Sequence, residues 1–129
     1  MPLSHDAAMH DICNRFLDAI EARDMDLIGE ILSPDLQFWA NFTNATKGRD
    51  DMLQAISAGY AVHRHRHYND RRIRALEGGF LAQYTCAITR HDGTTSALWA
   101  GMVADVRDGR IVKVDEYMDS GKFAPRPAA

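Results

Sequence analysis

Apolar residues recur at helical spacing in the first third of the chain and at strand spacing over its second half. Met9, Ile12, Cys13, Phe16, Leu17 and Ile20 share one stripe, with Asp11, Asn14, Arg15, Asp18 and Glu21 mostly off it. That pattern predicts a helix from His5 to Arg23. A shorter helix should follow, N-capped by Asp24 and burying Leu27, Ile28, Ile31 and Leu32. Ser33-Pro34-Asp35 stops it, because a residue before proline leaves the helical region. From Leu36 to Phe42, Leu36, Phe38, Ala40 and Phe42 alternate with Gln37, Trp39, Asn41 and Thr43, which predicts a strand. Asn44 to Gly48 reads as a loop. A third helix is expected from Arg49 to Tyr60, with Met52, Leu53, Ile56 and Tyr60 on one side.

After Val62 the punctuation changes. Glu77-Gly78-Gly79, His91-Asp92-Gly93 and Asp108-Gly109 are turn signals. They separate extended runs from His65 to Leu76, Phe80 to Arg90, Thr94 to Val106 and Ile111 to Asp119. Strands joined by such turns form an antiparallel meander, and strands this long twist strongly. Helices first and strands after them predict an α+β fold, a cone-shaped curved antiparallel sheet wrapped around the N-terminal helices. Leu98, Ala100 and Met102 alternate with Trp99, Gly101 and Val103, so both faces of that strand are apolar. The expectation is a homodimer through the outer sheet face. The proline-containing tail from Phe123 to Ala129 should be mobile.

Composition narrows the classes. A chain of 129 residues, 46% hydrophobic and 26% charged, suits one domain with a real core. A formal charge of -3 gives no global attraction to nucleic acid or anionic lipid. No apolar run approaches a membrane span, and Met1 to Asp6 lacks the features of a secretion signal. A cytoplasmic protein is expected, with Cys13 and Cys86 as buried free thiols. Two glycosylation sequons, at Asn41 and Asn44, carry little weight without secretion.

One residue breaks the last strand's pattern. Val112, Val114, Glu116 and Met118 alternate with Ile111, Lys113, Asp115, Tyr117 and Asp119, so Glu116 stands on an otherwise apolar face. A carboxylate there must be paired, protonated or used. Either Glu116 lies at a wet edge or against an arginine, or it works as an acid or base. The run His63-Arg64-His65-Arg66-His67 puts three histidines on one strand face and two arginines on the other. It allows a metal site, one functional imidazole at His67, or a solvated junction. No carboxylate–histidine set elsewhere completes a metal site, so no metal is expected. Arg64, Arg66, Arg71, Arg72 and Arg74 lack interleaved aromatics and read as a solvated strand face rather than a nucleic-acid surface. Trp39, Tyr84 and Trp99 suit either an aromatic ligand or packing in a core or dimer.

Three stretches, Phe16 to Trp39, Gly48 to Met52 (G-R-D-D-M) and Val106 to Asp119 (V-R-D-G-R-I-V-K-V-D-E-Y-M-D), resemble the SnoaL-like branch of the nuclear transport factor 2-like superfamily. That superfamily includes polyketide cyclases, ketosteroid isomerases, scytalone dehydratases, limonene epoxide hydrolases and members that only bind or assemble. The resemblance implies a conical pocket, usually a dimer, and acid–base chemistry without a cofactor. Epoxide-hydrolase-like members have a last-strand pattern like W-x-D-Y-F-D, whose first Asp is the base; Glu116 takes that position here. Their first-strand Tyr-x-Asn resembles Trp39-Ala40-Asn41. Their Arg and Asp, two residues apart, correspond to Gln83 and Thr85, so that charged relay is missing. A one-residue slip on this strand exchanges Gln83 and Thr85 for Tyr84 and Cys86. His67 is similar in placement to a scytalone dehydratase histidine.

The resulting expectation is a lyase or isomerase type of enzyme acting by proton transfer on a small hydrophobic, cyclic or aromatic metabolite. Glu116, His67 and Asn41 are its candidate catalytic residues. Trp39, Tyr60, Gln83, Thr85, Leu98, Ala100 and Met118 are candidates to contact substrate. The alternative is a ligand-binding or assembly domain of the same fold.

Overall fold

The first helix, α1 (His5–Glu21), begins where Ser4 accepts a hydrogen bond from the Ala7 amide at 3.1 Å. The computed structural model describes residues 2–119 and residue 121. The tail expected to be mobile, 123–129, lies outside the described residues. The stripe read from the sequence is the buried stripe of α1: Met9, Ile12, Cys13, Phe16, Leu17 and Ile20, joined by Ala19. Asp24 caps α2 (Met25–Ile31) by accepting from the Leu27 amide at 3.1 Å.

Strand β1 (Leu32–Ala40) starts directly after α2, earlier than the proline signal implies. Its pairing skips from Leu32 to Gln37, so Pro34 sits in the gap where its missing N–H costs no ladder bond. The segment expected as a loop contains a short strand, β2 (Ala45–Lys47). Next come α3 (Arg49–Val62), β3 (His63–Leu76), β4 (Gly79–Arg90), β5 (Thr95–Arg107) and β6 (Arg110–Met118). Asp108 (φ 53°) and Gly109 (φ 75°) give the left-handed pair that a tight β5–β6 turn requires.

Among the described residues the sheet has six strands in the order β2-β1-β6-β5-β4-β3. The meander from β3 to β6 is antiparallel as expected. The sheet as a whole is mixed, because β1 runs parallel to β6. The long connection that a parallel pair demands is the whole run of β2, α3 and β3 to β5, so no local pattern announces this contact.

α1 packs on β3 and β4, and α3 on β1 and β3. Phe16, Leu17, Ile28, Leu32, Phe80, Ile111 and Val114 are each at most 2% exposed between helices and sheet. Burial of side chains of this size stabilises by about 1.5–3 kcal/mol each before entropy is counted. Val112 does not share the inner face with Val114. Asp105 pairs with Lys113 but Val106 with Ile111, so Val112 is an extra residue and Ile111 turns into the core in its place. No helix among the described residues is long and apolar enough to cross a membrane.

Candidate active site

Helices and sheet leave a cavity of about 320 Å³ between them. Phe16, Leu17, Ile20, Phe38, Met52 and Ile56 give it apolar walls. The exposed residues Phe42, Thr43, Lys47 and Asp51 mark its mouth. Its polar groups come from neighbouring strands: Glu116 from β6, Tyr84 and Cys86 from β4, and His63, Arg66 and Tyr68 from β3.

Glu116 lies between Ala40 of β1 and Met102 of β5, and its half-buried side chain faces the cavity. Burial raises its pKa to about 7, against the opposing pull of the Arg66 guanidinium. The carboxyl therefore exchanges its proton near neutral pH. The two tyrosines stay neutral: burial raises the pKa of each. Their rings meet edge to face, 5.2 Å apart at 87°. The Tyr68 hydroxyl accepts from Arg66 Nη1 at 3.4 Å and keeps its own proton to donate. Burial also pushes the Cys86 thiol up to about 11, so it is no thiolate nucleophile at neutral pH.

His63 is 7% exposed, and its pKa is lowered by burial and then by Arg66, Arg90 and His91. It is neutral, and its Nδ1 accepts from Arg66 Nη2 at 3.1 Å. For Arg66, burial opposes the charge, but Tyr68, Cys86 and Glu116 outweigh it and hold the pKa above the ordinary value.

The histidine run is divided by an irregularity in β3. Pairing shifts between His63 and His65, so His63, Arg66 and Tyr68 point inward while His65 and His67 point out. The expectation that the three histidines share a face is therefore corrected. His67 is exposed and stacked on His65, with centroids 6.1 Å apart. It lines a small crevice with Arg23 and Tyr60 that shares Ile20, His63 and Arg66 with the cavity, but His67 itself is not part of the cavity lining.

Of the residues read from the sequence as site candidates, Glu116, Ala100 and Met118 line the cavity. Asn41 does not; it clamps the end of β6, with Nδ2 donating to the Met118 carbonyl at 3.2 Å and Oδ1 accepting from the Met118 amide at 3.0 Å. Its backbone amide also holds the Glu116 carbonyl at 3.0 Å, so it positions the strand that carries the carboxyl. Trp39 lies on the outer face, donating to Asn44 Oδ1 at 3.1 Å and meeting Tyr117 edge to face. Gln83 also lies outside, in an open trough, and Thr85 donates to Asp70 Oδ2 at 3.2 Å. The slipped alternative holds on β4, where Phe80, Ala82, Tyr84, Cys86 and Ile88 are the buried set. Leu98 packs on Cys86 and Ile88 behind the cavity wall. Tyr60 turns its hydroxyl to the Ile20 carbonyl at 2.8 Å and its ring under Arg23, 5.0 Å away.

Sequence reasoning missed Arg66, Tyr68 and His63 as cavity groups, since the bulge that turns them inward leaves no local mark. Tyr84 and Cys86 had a signal: the even-numbered positions from Phe80 to Ile88 are the uniformly apolar ones.

Comparison with known proteins agrees with this architecture. A candidate polyketide cyclase from Xanthomonas campestris pv. campestris superposes with a TM-score of 0.83 at 20% identity, covering 93% of this chain and 96% of its own. A candidate hydroxylase from Streptomyces galilaeus gives 0.81 at 16% identity, covering 91% and 92%. An epoxide hydrolase from M. tuberculosis, similar to limonene epoxide hydrolases, gives 0.76 at 20% identity, covering 93% and 89%. At such identities these likenesses establish the fold alone. Among curated proteins the sequence finds no significant relative. The SnoaL-like domain matches residues 13–114, and the chain therefore belongs to the SnoaL-like family.

Proposed function

We propose that the protein is a cofactor-independent acid–base enzyme acting on a small hydrophobic, cyclic or aromatic metabolite by isomerisation, dehydration or cyclisation. The observation that carries this reading is Glu116, a carboxyl in an apolar cavity with its pKa raised to about 7. A group poised there serves as base when ionised and as acid when protonated. Removing a proton beside a carbonyl builds negative charge on oxygen, and the neutral Tyr68 and Tyr84 hydroxyls are the donors suited to hold it. The named activities of the structural relatives, polyketide cyclisation and epoxide hydrolysis among them, are compatible with such a cavity. Epoxide hydrolysis through an Arg–Asp relay fits less well, because Gln83 and Thr85 face outward and the inward β4 positions are Tyr84 and Cys86, neither of them charged.

The rival reading, a ligand-binding or assembly domain, draws on the same outward placement of Gln83, Thr85, Asn41 and His67. Turnover separates the two. Glu116→Gln should abolish product formation, assayed by mass spectrometry over enones, hydroxy-ketones and phenols, while ligand binding is kept and the melting temperature does not fall. Equal losses of binding and stability would make Glu116 a structural carboxylate.

The homodimer expectation finds support on the outer sheet face, where Trp99 and Tyr117 are 62% and 50% exposed beside Leu81 and Val103. A monomeric mass in light scattering at micromolar concentration would overturn it.

A further inference from the structure

We propose that Arg66 determines the specificity of the cavity, and that its preferred ligand is a small ring compound bearing a carboxylate, taken up while Glu116 is protonated. The inference rests on reading the cavity as the substrate site, and goes beyond it by naming the ligand's charge and the protein group that recognises it.

The guanidinium is held from several sides. Arg66 stands on the inner face of β3, opposite Ile88 of β4. Its Nη2 donates to His63 Nδ1 at 3.1 Å and its Nη1 to the Tyr68 hydroxyl at 3.4 Å. Gly59 of α3 supports it from the side: a Cβ there would come within 3.2 Å of Nη2. A neutral histidine, a phenol and a bare backbone thus fix a planar fork in a wall of the cavity. Planar guanidinium forks match the two oxygens of a carboxylate, which a lysine ammonium does not.

The charge balance points the same way. Among the described residues, the charged and titratable groups that line the cavity with Glu116 are Arg66, His63 and Tyr68 from β3, Tyr84 and Cys86 from β4, Lys47 from β2 and Asp51 from α3. Lys47 and Asp51 offset each other at the mouth. His63, Tyr68, Tyr84 and Cys86 are neutral, because burial disfavours the charged form of each. Among the described lining residues, protonation of Glu116 removes the negative charge that faces the Arg66 guanidinium. A monoanionic ligand supplies a negative charge in its place and, by like-charge repulsion, holds the proton on Glu116. Carboxylate and proton are therefore bound together, and the complex contains Glu116 in its acid form.

The test is calorimetric binding of benzoate, cinnamate and 1-naphthoate, each against its neutral amide, from pH 6 to pH 9. The carboxylates should bind at least about tenfold more tightly than the amides at pH 6, and their affinity should fall by up to about tenfold per pH unit above pH 7. Arg66→Met should remove the carboxylate preference and leave amide binding in place. Arg66→Lys, which keeps the charge without the fork, should restore only part of it, and Gly59→Ala should weaken carboxylates selectively. Glu116→Gln should keep carboxylate binding and flatten its pH dependence. Circular dichroism on each variant separates loss of recognition from loss of fold. Equal affinity for acid and amide, benzoate binding unchanged in folded Arg66→Met, pH-independent affinity in the unaltered protein, or no carboxylate binding at millimolar concentration would each overturn the proposal. Turnover that survives in Glu116→Gln would instead overturn the acid–base reading and leave the carboxylate preference standing.

Discussion

Tyr84 and Trp99 sit on adjacent strands of one sheet, yet Tyr84 is 2% exposed and Trp99 62% exposed. The same division runs along the whole of β4, β5 and β6. On the inner face, burial holds Tyr84 neutral, raises Cys86 to about 11 and brings Glu116 to about 7. On the outer face, Gln83, Trp99, Tyr117 and Asn41 form a polar and aromatic trough. Aromatic rings occur on both faces, so they alone do not give the inner face its chemistry. Desolvation does: it turns an ordinary carboxyl into one that titrates near neutrality.

The contrast should break first in the core. Tyr84→Ala removes a ring packed against Tyr68 and should cost about 3–5 kcal/mol in urea unfolding, with Trp99→Ala within about 1 kcal/mol at concentrations where the chain is monomeric. Equal costs would erase the distinction between the faces.

Next comes the pH dependence. A carboxyl whose pKa is raised on folding takes up a proton as the chain folds, between the ordinary 4.5 and about 7. Stability from this group is thus fullest below pH 4.5, falls as pH rises through that window, and levels off above it. The loss is at most about 1.4 kcal/mol for each pH unit spanned, or roughly 3 kcal/mol in all. Glu116→Gln should therefore melt higher than the unaltered protein at pH 8, with the gap closing by pH 5. A gap that widens toward acid would reverse the assignment.

Asn41→Ala should follow, at about 1–2 kcal/mol, since it removes two hydrogen bonds to Met118 at the strand end. The smallest difference is kinetic. Cys86, raised to about 11, and Cys13, raised to about 12, should both resist alkylation at pH 8 until the chain unfolds. Rapid labelling of the folded protein at Cys86 would show the cavity to be wetter than the account holds.

What the sequence disclosed follows the same physical division. The α1 stripe, the Asp24 cap, the turn signals and the inward Glu116 all rest on local periodicity, and they hold in the structure. The failures sit where periodicity breaks or contacts are distant. The irregularity near His63 reverses the β3 faces, hiding Arg66 and Tyr68 and promoting His67. The extra residue at Val112 exchanges it with Ile111. The β1–β6 pairing joins residues far apart in the chain, and β2 is three largely polar residues that only a neighbouring strand makes regular. On β4, resemblance to epoxide hydrolases drew attention to Gln83 and Thr85, although alternation favoured Tyr84 and Cys86.

The most direct test is a pH titration of the Glu116 carboxyl followed by carbon-13 NMR, assigned by its disappearance in Glu116→Gln. The midpoint should lie near 7 in the folded protein and shift downward in the unfolded chain toward the ordinary glutamate value. A midpoint near 4.5 in the folded protein would mean that the carboxyl is solvated or fully paired, and the acid–base reading of the cavity would fall with it.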